Sequence, residues 1–433
     1  MARGQVWQLA LSALIVQAAC GGHGDADVLS LRLIYATDTS GQIDTCGCSG
    51  GQHGGLPRQA TLVSRLRDAD APVALLDGGG TVTSENQLDH FARAYRIMGY
   101  SLVIVGSSEL DQSFASVLAE QGVSTLARPS PDEPGAVAAR LLEFEGHPGV
   151  LVLASADLSA IDPRVLSEAV RSELSRREAE RAIVVLVTRE SPAGNAALAD
   201  LLGDEVDIFL GASSPPRSRD YRDPIEPGPV VPAISQGKAL TVIDVFEVED
   251  EGPRVEARFE PVSPNLLEER AVAEIVDDYY ATAATRSRPD AGDDSNVDYV
   301  MRGWADAQVC APCHQEEYDV WQETAHAHAI DTLAKRDRLV DECLACHSEE
   351  FRRNGVFDPA ALVPDDGVTC ATCHGDGLVH SMTGRTEYIE RSMEAQDCMA
   401  CHNETQQPQG FDFEESWEKI AHGTTEPAGE ESE

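Results

Sequence analysis

The sequence predicts two unlike parts: an α/β layered domain, then a mainly α region whose interior is not filled by protein alone. Three observations predict this. Between residues 29 and 280, short β-branched apolar runs alternate with segments of helical periodicity. The pattern C-x-x-C-H occurs four times between Val309 and His402. A stretch with a linker's composition, Thr285 to Asp298, separates the two parts.

The 433 residues allow two or three domains, and a hydrophobic content of 42% is enough for a packed core. Aromatic content is only 5%, so in the last third another apolar body must supply the missing bulk. The net charge is -41. From Met301 onward 9 basic residues face 28 acidic ones, and the preceding part is acidic too. A phosphate backbone would be repelled, which excludes nucleic acid as a partner. A solvated acidic surface follows, open to a basic redox protein.

Taken in order, residues 1–20 read as a signal peptide. Arg3 precedes an apolar run from Val6 to Val16, too short to span a bilayer, and then Gln17-Ala-Ala-Cys20. The small residues before Cys20 are similar to a bacterial lipobox, which makes Cys20 the expected lipidation site; Gln17 departs from the usual leucine. The expected location is outside the bacterial cytoplasm, in the periplasm or at the outer membrane, held by the lipid.

The α/β domain is expected over residues 29–284. Leu29 to Thr37 reads as a strand, followed by a Gly- and Cys-rich loop and a helix from Leu56 to Arg67. Pro72 to Asp77 is a buried strand, Ser84 to Met98 a helix, and Ser101 to Gly106 a strand. The alternation resumes with strand Gly149 to Ala154, helix Pro163 to Ala179, strand Ala182 to Thr188, helix Ala193 to Leu202 and strand Val206 to Gly211. Pro229 to Pro261 is strand-rich, and Asn265 to Tyr280 is helical. The linker is expected over 285–300, the α region over 301–423, and an acidic tail over 424–433.

The four repeats are Cys310-x-x-Cys313-His314, Cys343-x-x-Cys346-His347, Cys370-x-x-Cys373-His374 and Cys398-x-x-Cys401-His402. Each reads as an attachment site for a c-type haem: two thiols form thioethers to the porphyrin, and the adjacent imidazole takes one axial position on iron. Zinc ribbons also use paired C-x-x-C units, but they do not require a histidine after every second cysteine. Disulfides do not explain so regular a spacing. Four covalently bound haem c groups are therefore expected. They supply the missing apolar bulk and make this a haem-packed region.

Four haems need four further ligands to be six-coordinate, and the region holds four more histidines: His326, His328, His380 and His422. On a helix His326 and His328 point about 200° apart. They therefore serve different haems, or one of them ligates nothing and leaves an iron open. In the first loop Cys46, Cys48 and His53 could hold a soft metal such as Cu(I) or zinc, form a redox pair, or carry sulfur. A disulfide or free thiols in a Gly-rich turn is the plainer alternative.

The first domain also carries a resemblance. Leu33-Ile-Tyr-Ala-Thr-Asp38-Thr-Ser-Gly41, Gly54-Gly-Leu-Pro-Arg58 and Leu75-Leu-Asp-Gly-Gly-Gly80 resemble the opening of the calcineurin-like metallophosphatases of the 5'-nucleotidase type. The likeness runs from about Leu29 to Pro261 and implies an α/β layered sandwich. That family binds two metal ions through D-x-H, G-D, G-N-H and G-H-x-H motifs and one more histidine. Here Asp38 remains, but Ser40, Gly80, Ser107, Ser108 and Gly211 to Ser214 stand at the other ligand positions, and the extra histidine falls near Thr188 or Arg189. Hard or borderline cations need carboxylates and imidazoles, so the resemblance implies a metallophosphatase frame without phosphohydrolase activity.

The last third resembles the multihaem cytochrome c family of the ammonia-oxidiser tetrahaem type, over about Cys310 to His422. The carriers are Trp321, Thr324-Ala-His326-Ala-His328, the four motifs, Gly375-Asp-Gly-Leu-Val-His380, and Lys419-Ile-Ala-His422. The family's pattern implies that His326, His380 and His422 are distal ligands to haems bound elsewhere in the chain, and that one haem can keep an open face. The expected function is electron transfer between redox proteins, with the first domain as a docking or spacing module. A multihaem oxidoreductase acting on a small nitrogen or sulfur compound at an open haem is the alternative.

Overall fold

The structure is a computed structural model that describes residues 28–45, 53–67, 71–133, 135–157, 161–176, 182–213, 224–247, 253–286, 303–355, 367–390, 392–403 and 411–422. In chain order the first part runs β1 (Val28–Ala36), α1 (Leu56–Leu66), β2 (Val73–Asp77), α2 (Leu88–Met98), β3 (Leu102–Val105), α3 (Glu109–Glu120) and β4 (Thr125–Ala127). It continues through β5 (Val137–Leu142), β6 (Gly149–Ser155), α4 (Pro163–Arg176), β7 (Ala182–Val187), α5 (Pro192–Leu202), β8 (Ile208–Leu210) and β9 (Val230–Val231). It ends with β10 (Ala239–Glu247), β11 (Arg254–Pro261) and α6 (Arg270–Arg286).

These elements form four layers. One sheet has the order β11-β10-β1-β2-β3-β4, the other β5-β6-β7-β8-β9. Strand β1 shows why the sheets stack. Leu31, Leu33 and Tyr35 face the second sheet, meeting Val152, Val185 and Ile208. Ile34 and Ala36 face the helices, joining Leu56, Phe91 and Tyr95. A strand apolar on both faces must be covered on both faces. Helices α4 and α5 cover the outer face of the second sheet through Leu166, Val170 and Leu198. The first sheet is completed late: β10 returns after β9 to lie antiparallel to β1, and β11 pairs with β10.

Local differences from the sequence expectation have local causes. The expected helix from Ser84 opens as a 3-10 turn, Glu85–Gln87, before α2 begins. Helix α6 starts at Arg270 rather than Asn265, because the Asn265 backbone N–H donates to Ser263 Oγ at 3.3 Å and forms a turn there. It runs past Tyr280 to Arg286, with Val272, Val276, Tyr279 and Ala283 keeping one face buried. Between β3 and β6 the chain adds α3, β4 and β5, three elements outside the expected series.

The second part is built of short helices: α7 (Ala307–Cys310), α8 (Gln315–Gln322), α9 (Ala329–Ala334), α10 (Asp341–His347), α11 (Glu349–Asn354), α12 (Cys370–His374) and α13 (Leu378–Thr383). Its own protein core is small: Ile330, Leu333 and Leu344, with Phe351 against them. Among the described residues no helix is long and apolar enough to cross a membrane.

Candidate metal centre

Each C-x-x-C-H motif closes a helical turn. The His314 N–H donates to the Cys310 carbonyl at 3.0 Å, and the His402 N–H to the Cys398 carbonyl at 2.9 Å. The second and third motifs lie within α10 and α12. A turn places residues three and four apart on one face, so two thiols and an imidazole converge on one side of the backbone.

The imidazoles are oriented by carbonyls. His347 Nδ1 lies 2.8 Å from the Ala329 oxygen, and His374 Nδ1 2.7 Å from the Glu390 oxygen. His380 and His422 make the same contact with Arg385 and Ile420, at 3.1 and 2.8 Å. A carbonyl has no proton to give, so Nδ1 carries it and Nε2 keeps the lone pair a metal needs.

The rings face one another in pairs. His314 and His380 have centroids 6.1 Å apart, His326 and His402 6.1 Å, and His374 and His422 5.9 Å. Two metal–imidazole bonds of about 2 Å, with each centroid about 1 Å behind its nitrogen, place centroids roughly 6 Å apart. These donors fit an iron between each pair. Burial lowers the pKa of His326 and His402, which favours the neutral form that ligates. A cleft lined by Cys310, His314, Trp321, Cys370, His374 and His422 lies between the first and third motifs. His328 is elsewhere: its Nδ1 lies 3.5 Å from Asp331 Oδ2, with 61% of its side chain exposed. Rather than sharing a helix with His326, it stands at the N-terminus of α9.

The motifs neighbour each other out of chain order. The side chains of Cys310 and Cys370 are in hydrogen-bond contact, as are those of Cys346 and Cys401. The first motif therefore neighbours the third, and the second the fourth. Glu349, 2% exposed, ties the second motif to the third. It accepts from Arg352 Nη2 at 2.7 Å, from Arg353, and from Thr372 Oγ1 at 2.9 Å.

The second motif also meets the α/β domain. Val340 is buried in that domain's core beside Phe91 and Val276, and Cys343 packs against the same cluster. Tyr279 Oη donates to Glu342 Oε1 at 3.0 Å. Arg338 pairs with Asp44 and lies 4.7 Å over the Tyr280 ring.

At the carboxyl ends of the α/β strands, Asp38 is held by cations and hydroxyls. Arg189 Nη1 donates to its Oδ1 at 2.7 Å, and Ser213 N and Oγ donate to its Oδ2 at 3.1 and 2.8 Å. Arg128, which lies outside the expected site, is 5% exposed and bridges the two sheets. It donates to the carbonyls of Gly78, Ser155 and Val187. Burial lowers its pKa to about 10, so it stays charged at neutral pH. A Cβ on Gly80 would lie 2.5 Å from Asp38 Oδ1, so no side chain fits there unshifted. Ser108 caps α3, accepting from the Asp111 N–H. Ser40, with φ +51°, donates to the Asp38 carbonyl, and Ser107 N lies 3.4 Å from Asp157 Oδ2. Among the described residues no cluster of three or more His, Cys, Asp or Glu side chains could hold a single metal ion. Cys20, Cys46, Cys48 and Ser214 lie outside the described residues, while His53 is described and half-buried.

Residues 309–375 match the family Cytochrome c554 and c-prime. The match takes in the first three motifs. Cytochrome c-554 of Nitrosomonas europaea is 32% identical over 85 residues, which are 16% of this chain and 36% of that protein. The matched stretch carries C-x-x-C-H motifs of the kind that attach haem c. The α/β part is similar to a sulfate thiohydrolase SoxB from Thermus thermophilus, solved with glycerol. Identity is 17% and the TM-score 0.46, over 60% of this chain and 62% of that one. A 5'-nucleotidase precursor from Thermus thermophilus gives 15% and 0.43, over 59% of each chain.

Proposed function

We propose that this chain is a tetrahaem c-type cytochrome that carries electrons between redox proteins outside the cytoplasm, tethered by a lipid on Cys20. The α/β domain serves it as a docking or spacing module and hydrolyses nothing.

The observation that carries the reading is the set of three histidine pairs at 5.9 to 6.1 Å, each joining a motif histidine to His380, His326 or His422. Bound haem supplies reversible one-electron chemistry. The thiols of each motif would hold it, and the paired imidazoles would ligate its iron, so that small molecules would find no open position at those three sites. Carbonyl contacts at Nδ1 of His347, His374, His380 and His422 hold the rings against rotation. The acidic surroundings favour the ferric state and lower the potentials.

For the α/β domain, Arg189 on Asp38, Arg128 between the sheets and the glycine at position 80 support a site whose charge is balanced by protein cations. The test is a pyridine haemochrome count on the purified chain, with mass analysis of its N-terminal peptide. Four haems per chain and a lipidated Cys20 are expected. A count far from four sinks the reading.

A further inference from the structure

We propose, resting on the tetrahaem reading above, that the α/β domain raises the potential of the second haem by covering Cys343, one of the two thiols that anchor it.

Cys343 stands where two protein cores meet. On one side it packs against Ile330, Leu333 and Leu344, the small core of the haem region. On the other it packs against the α/β cluster that holds Val340 together with Val272, Val276, Tyr279 and Ala283 of α6. Val340 is 1% exposed and Tyr279 3%. A residue of the haem region thus fills a place in the core of the other domain. Helix α10, which carries the motif, begins directly after it. The Leu344 N–H donates to the Val340 carbonyl at 2.9 Å, so the first turn of α10 is tied to that seat.

Polar contacts close the rim of this seat. Arg338 pairs with Asp44, lies 4.7 Å over the Tyr280 ring and donates to the Thr45 carbonyl at 3.5 Å. Tyr279 Oη donates to Glu342 Oε1 at 3.0 Å. Burial raises the phenol pKa of both Tyr279 and Tyr280, as it does where water is largely excluded. Domains joined by a linker move against each other unless an apolar interface holds them. Here a valine in the neighbour's core, with charged and phenolic contacts beside it, holds the contact shut.

Ferric haem carries one more positive charge than ferrous haem. An apolar cover at the point of attachment disfavours the more charged state and so raises the potential. The acidic surface of the chain acts in the opposite direction. The second haem is therefore the one whose potential the α/β domain lifts, and the domain's dock is its own chain's second motif.

Potentiometric titration of the full-length holoprotein, followed in the visible spectrum, reads the four haems. His347→Met marks the second one, because a sulfur ligand raises its potential. Arg338→Asp and Asp44→Arg each break the rim pair. Both should lower that one potential and leave the other three in place. Their opposite charges separate cover from field: charge alone would lower the potential in Arg338→Asp and raise it in Asp44→Arg. The double exchange, Asp44→Arg with Arg338→Asp, should return the potential toward its original value. If Asp44→Arg does not retain four haems, Tyr280→Ala decides, since it opens the cover without altering charge and should lower the same potential. Opposite shifts in the two single variants overturn the inference. So do unchanged potentials, or a shift spread evenly over all four haems. A haem count other than four in the unaltered chain is a separate failure, of the tetrahaem reading itself.

Discussion

Arg189 closes a 2.7 Å ion pair on Asp38, its partner 151 residues earlier in the chain. The pair spans the two sheets at their carboxyl ends, with Asp38 in a left-handed backbone conformation at φ +51°. Asp157 lies 3.9 Å from the same guanidinium. Two carboxylates that would repel each other are held together by a side chain.

Removing that cation should therefore cost stability without creating a catalyst. Arg189→Ala leaves Asp38 on Ser213 alone. Both partners of the lost pair are partly exposed, which reduces the cost to about 1–2 kcal/mol. Urea unfolding followed through the far-ultraviolet signal of the α/β domain should show the loss. Phosphatase assays with added manganese or zinc should stay blank for the variant, because the missing imidazoles are not restored. Metal-dependent hydrolysis by Arg189→Ala would refute the account of this site.

The histidine pairs make separable predictions. His380→Ala should open the first haem and His422→Ala the third, each adding one carbon monoxide-binding haem without lowering the haem count. The double variant should add two, since the pairs do not share a ring. Low-temperature spectra of the three variants check this. No change in either single variant would mean these rings are not axial ligands.

Glu349 should make the haem region acid-sensitive. Burial alone would raise its pKa, but hydrogen bonds from Arg352, Arg353 and Thr372 hold it below the usual glutamate value of 4.5. A carboxylate with a depressed folded-state pKa contributes stability above the unfolded value and loses it as pH falls through the folded one. Stability of the region should thus decline below about pH 4.5. Glu349→Gln should remove that part of the slope and cost about 1–3 kcal/mol at neutral pH. Thermal melts of the two proteins across pH 3 to 7 read both effects, and parallel curves would show that Glu349 plays no such part.

What the sequence made legible follows from the range of the interactions. Strand β1 announced itself because both of its faces are apolar, and the four motifs did so because each is one helical turn. Their pairing was not written locally. His314 meets His380, and His326 meets His402, across loops that no period of 2 or 3.6 residues encodes. His326 and His328 looked like neighbours on a helix; in the fold one precedes α9 and the other begins it. Arg128 was missed for the opposite reason. It is one basic residue after the three-residue strand β4, and only the folded chain brings three carbonyls from both sheets to it. A charged residue directly following a short apolar run was the one available signal.

The contact between Cys310 and Cys370, and that between Cys346 and Cys401, has a consequence for biogenesis. Synthesis delivers the motifs in chain order, but the fold brings first to third and second to fourth. In an oxidising compartment, bare thiols held that close would cross-link between motifs, trapping a compact chain that no lyase could load. Cofactor attachment must therefore run ahead of collapse. Chain made without the attachment machinery should yield Cys310–Cys370 and Cys346–Cys401 peptides on mass mapping. Links confined within each C-x-x-C would show that the chain matures in some other order.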